Sequence, residues 1–134
     1  MTEIINKENL ENILKKGSDG KPILELTPLE KTAVHTPTQE IYNELMRVYE
    51  IGNWKWFDEK LPTKFTYWNE YKRKTCIDAG VTHYSKLESQ FGYSDKKFCL
   101  KNNFKVLSTQ NFYEIQKITP KMIKEINEYF EGRK

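Results

Sequence analysis

The stretch GNWKWFDEKLPTKFTYWNEYKRKTC, residues 52–76, holds all three tryptophans of the chain together with six of its lysine and arginine residues. Trp54 and Trp56 alternate with Lys55, which is the two-residue period of a half-buried strand. Only 37% of the residues are hydrophobic, so the core needs the largest side chains. We therefore expect most aromatic residues here, Trp54, Phe65 and Trp68 among them, to be buried.

Periodic segments lie on both sides of this stretch. Residues 38–51 and 119–131 carry apolar residues at helical spacing, and the second segment begins with Thr119-Pro120, a helix-start signal. The pattern of residues 75–87 predicts a β-hairpin, and that of residues 103–108 predicts a short strand. The pattern predicts a single α+β domain over residues 1–134, a small, mostly antiparallel sheet packed by two or three helices.

Weaker patterns give four further expectations. Residues 4–16 are expected to form a helix that, with the loop up to residue 37, could be loosely attached to the rest. Residues 23–27 favour a strand. Ser94 is predicted to cap a helical turn that points Phe98 and Cys99 inward, and Ser108 or Thr109 to cap a short helix after residue 109.

The composition indicates a protein of the cytoplasm without a membrane segment. The net charge is only +3 and 13% of the residues are aromatic, which is unlike a disordered chain. The two cysteines form no CxxC motif, so we expect free thiols in a reducing compartment. No apolar run reaches 18 residues, and the first residues do not form a signal peptide.

Charge is unevenly distributed along the chain. Residues 1–50 carry a net charge of −3, residues 51–95 of +1 and residues 96–134 of +5. A basic C-terminal third could meet an acidic partner or a phosphate backbone. The simpler interpretation is that these lysines solvate the outer faces of helices.

The residue types needed for catalysis, metal binding or nucleotide binding do not occur at the spacings that these functions require. Cys76 and His83 could approach across the predicted hairpin, with Asp78 near them, but no nucleophile signature surrounds them. No pair of histidines or cysteines has zinc-site spacing, and the glycines form no phosphate-binding loop. We expect no catalytic residue, no metal and no cofactor.

Binding is the function that the composition favours. Interfaces are enriched in Trp, Tyr and Met at their centres, whereas base and phosphate recognition favours Arg over Lys, and this chain has three arginines. The residues predicted to face a partner are Trp56, Tyr67, Lys72, Arg73, Lys74 and Tyr84. The alternative is a sequence-tolerant nucleic-acid surface, in which lysines contact phosphates and aromatic rings stack on bases.

An ordered set of motifs runs through the middle of the chain: Trp54-x-Trp56, Leu61-Pro62-Thr63, Trp68-x-x-Tyr71, Thr75-Cys76-Ile77, Phe91-Gly92-Tyr93, Phe104 to Ser108 and Phe112. Over about residues 41–115 this order resembles small uncharacterised accessory proteins of phages and prophages in low-GC Gram-positive bacteria. The resemblance implies a mobile-element protein and assigns no role to any residue. Small proteins of that kind often modulate a host complex, including defence systems.

Together these observations predict a non-enzymatic binding protein of a phage or mobile element. It would occlude or modulate a host protein or ribonucleoprotein, and an anti-defence, anti-CRISPR-like inhibitor is one form that it could take. The alternative function is a sequence-tolerant nucleic-acid-binding protein.

Overall fold

The computed structural model describes residues 14–79 and 90–132, which form an α+β fold. Its strands are β1 (Thr32–His35), β2 (Lys55–Trp56), β3 (Thr75–Asp78), β4 (Gln90–Phe91), β5 (Tyr93–Asp95) and β6 (Lys105–Ser108). Its helices are α1 (Gln39–Ile51), α2 (Trp68–Tyr71), α3 (Lys96–Lys101), α4 (Thr109–Gln116) and α5 (Pro120–Glu131), and Lys72–Lys74 form a 3-10 turn.

Within the described residues, the main sheet has four strands in the order β5-β3-β1-β6. β1 pairs antiparallel with β3, which pairs antiparallel with β5, whereas β1 and β6 are parallel. β2 and β4 form a separate two-stranded parallel sheet. The main sheet is therefore mixed, and two of its three strand pairings are antiparallel. This agrees with the predicted α+β fold with a mostly antiparallel sheet.

The larger core lies on one face of the main sheet. Val34, Ile77 and Leu107 are neighbours across β1, β3 and β6, and they point to this face because side chains alternate along each strand. Helix α1 covers them with buried residues at helical spacing: Tyr42, Leu45, Met46 and Tyr49. All three tryptophans join this cluster.

The opposite face of the sheet is lined by smaller residues. Ala33 on β1 and Cys76 on β3 are buried there under Cys99 of α3 and Phe104. Small side chains allow α3 to lie close to the strands. A third cluster joins α1 to α5 through Val48, Ile51 and Ile126.

Local capping explains why the predicted helices begin where they do. The hydroxyl of Thr38 accepts a hydrogen bond from the backbone N–H of Ile41, and that of Thr119 accepts one from Met122. These bonds satisfy N–H groups that have no partner within the first turn. The predicted helices 38–51 and 119–131 and the cap at Ser108 are confirmed.

Three local predictions are wrong. Residues 23–27 form no strand; at their end, the backbone N–H and C=O of Thr27 bond to the Gln116 side chain, at 2.7 Å each. Asp95, not Ser94, caps α3, and Phe98 on that helix is exposed while Cys99 is buried. Phe65 is 46% exposed rather than buried.

Two other expectations fall partly outside the described residues. The first half of the predicted hairpin is confirmed as β3, but residues 80–89, where its turn ends and its second strand lies, are not described. Of the predicted helix 4–16, only residues 14–16 are described; they are not helical, and Lys16 pairs with Pro22 in an isolated bridge.

Candidate functional site: an aromatic rim beside a basic turn

Trp56 is buried, so the prediction that it faces a partner is wrong. Its side chain is 0% exposed and its ring centroid lies 4.4 Å from that of Phe91. β2 pairs with β4 so that Trp56 and Phe91 are register partners, which turns the indole into the core. The indole N–H donates to the carbonyl oxygen of Phe65 at 3.1 Å, so its one polar group is satisfied.

Four aromatic residues that keep part of their surface exposed form a surface that we call the aromatic rim: Phe57, Tyr67, Tyr71 and Tyr93. Tyr93 on β5 is its centre. Its ring stacks on Tyr67 with centroids 4.5 Å apart, and it lies 5.9 Å from Tyr71 and 6.5 Å from Phe57. Phe57 is 46% exposed and the three tyrosines are half-buried, so the rim presents ring surface to solvent.

Two carboxylates hold two of the three rim tyrosines, Tyr67 and Tyr93, in place. The hydroxyl of Tyr67 donates to Asp58 Oδ2 at 2.6 Å, and that of Tyr93 donates to Glu70 Oε1 at 3.0 Å. Bonds to ionised acceptors are stronger than bonds between neutral groups. They fix the orientation of the rings before any partner arrives, which lowers the entropy cost of binding.

The same bonds change the acidity of these groups. The hydrogen bond to Asp58, together with partial burial, raises the pKa of Tyr67 to about 12. Partial burial and the bond to Glu70 raise the pKa of Tyr93 to about 12. Partial burial acts to raise the pKa of Asp58, but the bonds from Tyr67 and the Lys60 amide outweigh it and lower that pKa. At neutral pH both tyrosines are therefore neutral donors.

The rim borders a concave site, which we call the rim pocket. Its volume is about 280 Å³. Aromatic and acidic side chains predominate among its lining residues: Phe57, Glu70, Tyr71, Gly92, Tyr93, Ser94, Asp95 and Phe98. Among residues 14–79 and 90–132, no lysine, arginine or histidine contributes to this lining.

Lys72, Arg73 and Lys74 form the exposed 3-10 turn, which we call the basic turn, directly after α2. The carbonyl of Arg73 accepts a hydrogen bond from Nε2 of His35 at 2.7 Å, which ties the turn to β1. A carbonyl can only accept, so this nitrogen of His35 carries the proton. The basic turn lines a second depression of about 540 Å³, which shares Glu70, Tyr71 and Asp95 with the rim pocket.

The structure thus brings together four of the six residues predicted to face a partner. Tyr67 lies in the rim, and Lys72, Arg73 and Lys74 lie beside it. Trp56 lies beneath the rim, with its ring 4.7 Å from Tyr67 between centroids, and Tyr84 lies outside the described residues.

Sequence reasoning missed Phe57, Glu70 and Tyr93, which belong to the same surface. Alternation offered a signal for one of them: Phe57 directly follows the buried Trp56, the last residue of β2, and is therefore expected to point away from it. Tyr93 lies opposite Ile77 on β5, on the same face of the sheet as the larger core, so alternation does not explain its partial exposure. Nothing local in the sequence links Glu70 to Tyr93, because β5 pairs with β3 from a distant part of the chain.

The two cysteines are buried neighbours on the opposite face of the sheet. The Cys99 thiol lies 3.0 Å from the hydroxyl of Ser94, and Cys76 is the cross-strand partner of Ser94. Contact with Cys99 and burial raise the pKa of the Cys76 thiol. A buried thiol that stays protonated is a poor nucleophile. His83, the base considered for Cys76, lies outside the described residues.

Comparisons with known proteins give no family or relative for the chain: no family model, no curated protein and no solved structure matches it. Residues 14–79 and 90–132 contain no group of three or more His, Cys, Asp or Glu side chains placed to hold a metal ion. Within the same ranges no helix has both the length and the apolar character needed to cross a bilayer.

Proposed function

We propose that this protein is a non-enzymatic binding protein and that the aromatic rim and the basic turn together form the surface that contacts a partner protein. One observation carries the proposal. Half-exposed aromatic rings, held by hydrogen bonds to carboxylates, border a pocket next to three exposed cationic side chains. Aromatic residues and arginine are the types most enriched at the centres of protein interfaces.

The partial exposure of the rim rings favours contact with a protein partner over a surface that only meets water. A ring left half in water forgoes part of the hydrophobic gain that full burial gives, about 25 cal/mol per Å² of apolar area. Phe57 and the rim tyrosines keep this area exposed in a chain with few apolar residues to spare. Burial by a partner recovers that free energy, and the fixed rings lose little side-chain entropy on binding.

The proposed partner is a host protein or ribonucleoprotein, and the proposed action is to occlude or modulate one of its surfaces, as an anti-defence inhibitor does. This part of the proposal rests on the motif order that resembles phage and prophage accessory proteins. The surface described above is compatible with it, since occlusion needs only a binding surface.

A quantitative capture experiment tests the proposal. The full chain, immobilised, is mixed with a lysate of a low-GC Gram-positive bacterium, and bound proteins are quantified by mass spectrometry. The test variant replaces Lys72, Arg73 and Lys74 with alanine. The control replaces three exposed lysines elsewhere, Lys15, Lys105 and Lys124, so both variants lose the same charge.

We expect at least one bacterial protein to be retained by the wild type and the control, and about tenfold less by the basic-turn variant. Tyr71→Ala should reduce retention of the same protein, because it removes a rim ring. If no retained protein distinguishes the basic-turn variant from the control, the proposed surface is wrong. Circular dichroism of both variants verifies that the fold is unchanged.

The basic turn also favours a second candidate, sequence-tolerant binding of nucleic acid. Three exposed cations next to Tyr71 could contact phosphates while the ring stacks on a base. Asp58, Glu70 and Asp95 in the same region would repel phosphates, and for this reason we place nucleic-acid binding second.

A salt titration of binding to single- and double-stranded oligonucleotides tests this candidate. Three phosphate contacts give a slope of about −2 to −3 in log K against log salt. Absence of binding at low salt rejects this candidate.

A further inference from the structure

We propose that the rim pocket binds an arginine side chain of the partner; this inference rests on the proposed protein-binding function and names what the site recognises. The pocket is lined by four aromatic residues and two carboxylates: Phe57, Tyr71, Tyr93, Phe98, Glu70 and Asp95. Aromatic faces and carboxylates are the two groups that attract a guanidinium.

The size of the pocket fits one side chain. Its volume of about 280 Å³ lies just below the range of roughly 300–1,000 Å³ typical of pockets that bury drug-sized ligands. A single extended side chain, reaching in from a partner's surface, needs no more than this. The pocket is open on its outer side, where Phe57 is exposed.

The rings are positioned for contact with a flat cation. Tyr93 is fixed by its hydrogen bond to Glu70 and by stacking on Tyr67, so its place in the pocket does not depend on the ligand. The ring of Tyr71 is inclined by 52° to that of Tyr93, and the ring of Phe57 by 36°. Rings set at an angle around a cavity can offer a face to a guanidinium between them.

Both carboxylates keep the capacity to accept further hydrogen bonds. Glu70 Oε1 accepts from Tyr93, and Asp95 Oδ1 accepts from the backbone N–H of Lys97. An ionised carboxylate has about four acceptor sites, so one bond leaves room for a guanidinium. Arginine presents five N–H donors in a planar fork and stacks on aromatic rings, whereas lysine is a compact point charge that is strongly hydrated.

The charges around the pocket favour a cation inside it and an anion next to it. None of the described residues that line it is cationic, and the basic turn lies on the far side of Glu70 and Tyr71, along the neighbouring depression. A partner segment that carries an arginine near an acidic residue would therefore place opposite charges against both sites.

A binding experiment with defined peptides tests the inference. The probes are N-acetyl, C-amide peptides Gly-X-Gly in which X is arginine, citrulline, lysine or glutamate. Citrulline keeps the shape of arginine and removes its charge. Binding to the full chain is followed by nuclear magnetic resonance, as shifts of the backbone amides of Gly92, Tyr93 and Asp95.

We expect the arginine peptide to shift these amides saturably, with weaker shifts for lysine and none for citrulline or glutamate. Glu70→Gln keeps an acceptor for Tyr93 but removes the charge, so it should weaken arginine binding about three- to tenfold, the range for one desolvated charge or ring contact. Tyr71→Ala should weaken it by a similar factor. The matched control Glu25→Gln, at an exposed site outside the pocket, should bind as the wild type does.

Absence of saturable shifts with the arginine peptide, or equal binding of citrulline, overturns the inference. The proposed function fails separately, through the capture experiment with the basic-turn variant. If capture depends on the basic turn while the arginine peptide leaves Gly92, Tyr93 and Asp95 unshifted, the surface stands and the arginine assignment is wrong.

Discussion

Trp56 and Phe57 are consecutive aromatic residues in two regions with opposite environments. Trp56 belongs to the tryptophan core, formed with Trp54 and Trp68, and is fully buried. Phe57 belongs to the aromatic rim and is 46% exposed. The two regions are in contact, because the ring of Trp56 meets that of Tyr67 edge-on with centroids 4.7 Å apart. The rim therefore packs on the core. An aromatic-rich, basic stretch therefore supplies both stability and a surface.

The largest expected difference between the two regions is in stability. Trp56→Ala removes a ring that contacts Phe91 and Tyr67, and we expect the free energy of unfolding to fall by about 3–5 kcal/mol through lost burial and a cavity. Phe57→Ala, one residue later, should change it by less than about 0.5 kcal/mol. Urea unfolding followed by circular dichroism measures both.

If Trp56→Ala does not fold, Trp56→Phe gives a milder change in the same direction. Equal destabilisation by Trp56→Phe and Phe57→Ala would contradict the division between core and rim.

A smaller difference is expected between tyrosine hydroxyls of the two regions. The hydroxyl of Tyr49, buried in the core, donates to the carbonyl of Asp78 at 3.0 Å. Tyr49→Phe removes this buried hydrogen bond and should cost about 1–3 kcal/mol of stability. Tyr67→Phe breaks a shorter bond at the surface, to Asp58, but water replaces it, so the cost should stay below about 1 kcal/mol.

Thermal unfolding of both variants measures which substitution lowers stability more. A larger loss for Tyr67→Phe than for Tyr49→Phe would mean that the rim, rather than the core, carries the stabilising hydroxyl.

The smallest effect concerns the pH dependence of the rim. The pKa values of Tyr67 and Tyr93 are raised from 10.0 to about 12. Because both pKa values are higher in the folded protein, the protonated tyrosines add to the free energy of unfolding. This contribution is fully present below pH 10 and is lost as the pH rises towards 12. Tyrosinate absorbance in a pH titration measures it. Asp58→Asn should bring the pKa of Tyr67 back towards 10, and an unchanged titration would contradict the assigned hydrogen bond.

Patterns local in the sequence predicted the elements that depend on local interactions. Helices α1 and α5 begin at Thr38 and Thr119, whose hydroxyls cap the first turn, and both predictions are confirmed. Strands β3 and β6 were predicted from short alternating runs. The α+β class followed from these elements, since helices and strands with one apolar face each must pack on one another.

Exposure within residues 57–67 was not predictable in the same way. This segment has no regular period, so nothing local distinguishes Phe65, which is exposed under the Lys60 ammonium at 3.8 Å, from a core residue. Trp56 was expected at the surface although its alternation with Lys55 places it beside Trp54. Its partner Phe91 comes from β4, and only this long-range pairing decides its burial.

By itself, the sequence determined the composition, the capped helices and the alternating strands, because each depends on residues within a few positions of one another. The tertiary structure decided which aromatic residues became core and which became rim. It joined Tyr67 and Tyr71 to Tyr93, and Glu70 to the hydroxyl of Tyr93, through the pairing of β5 with β3. A binding surface made from distant segments exists only once the chain has folded, because no local pattern records which strands will meet.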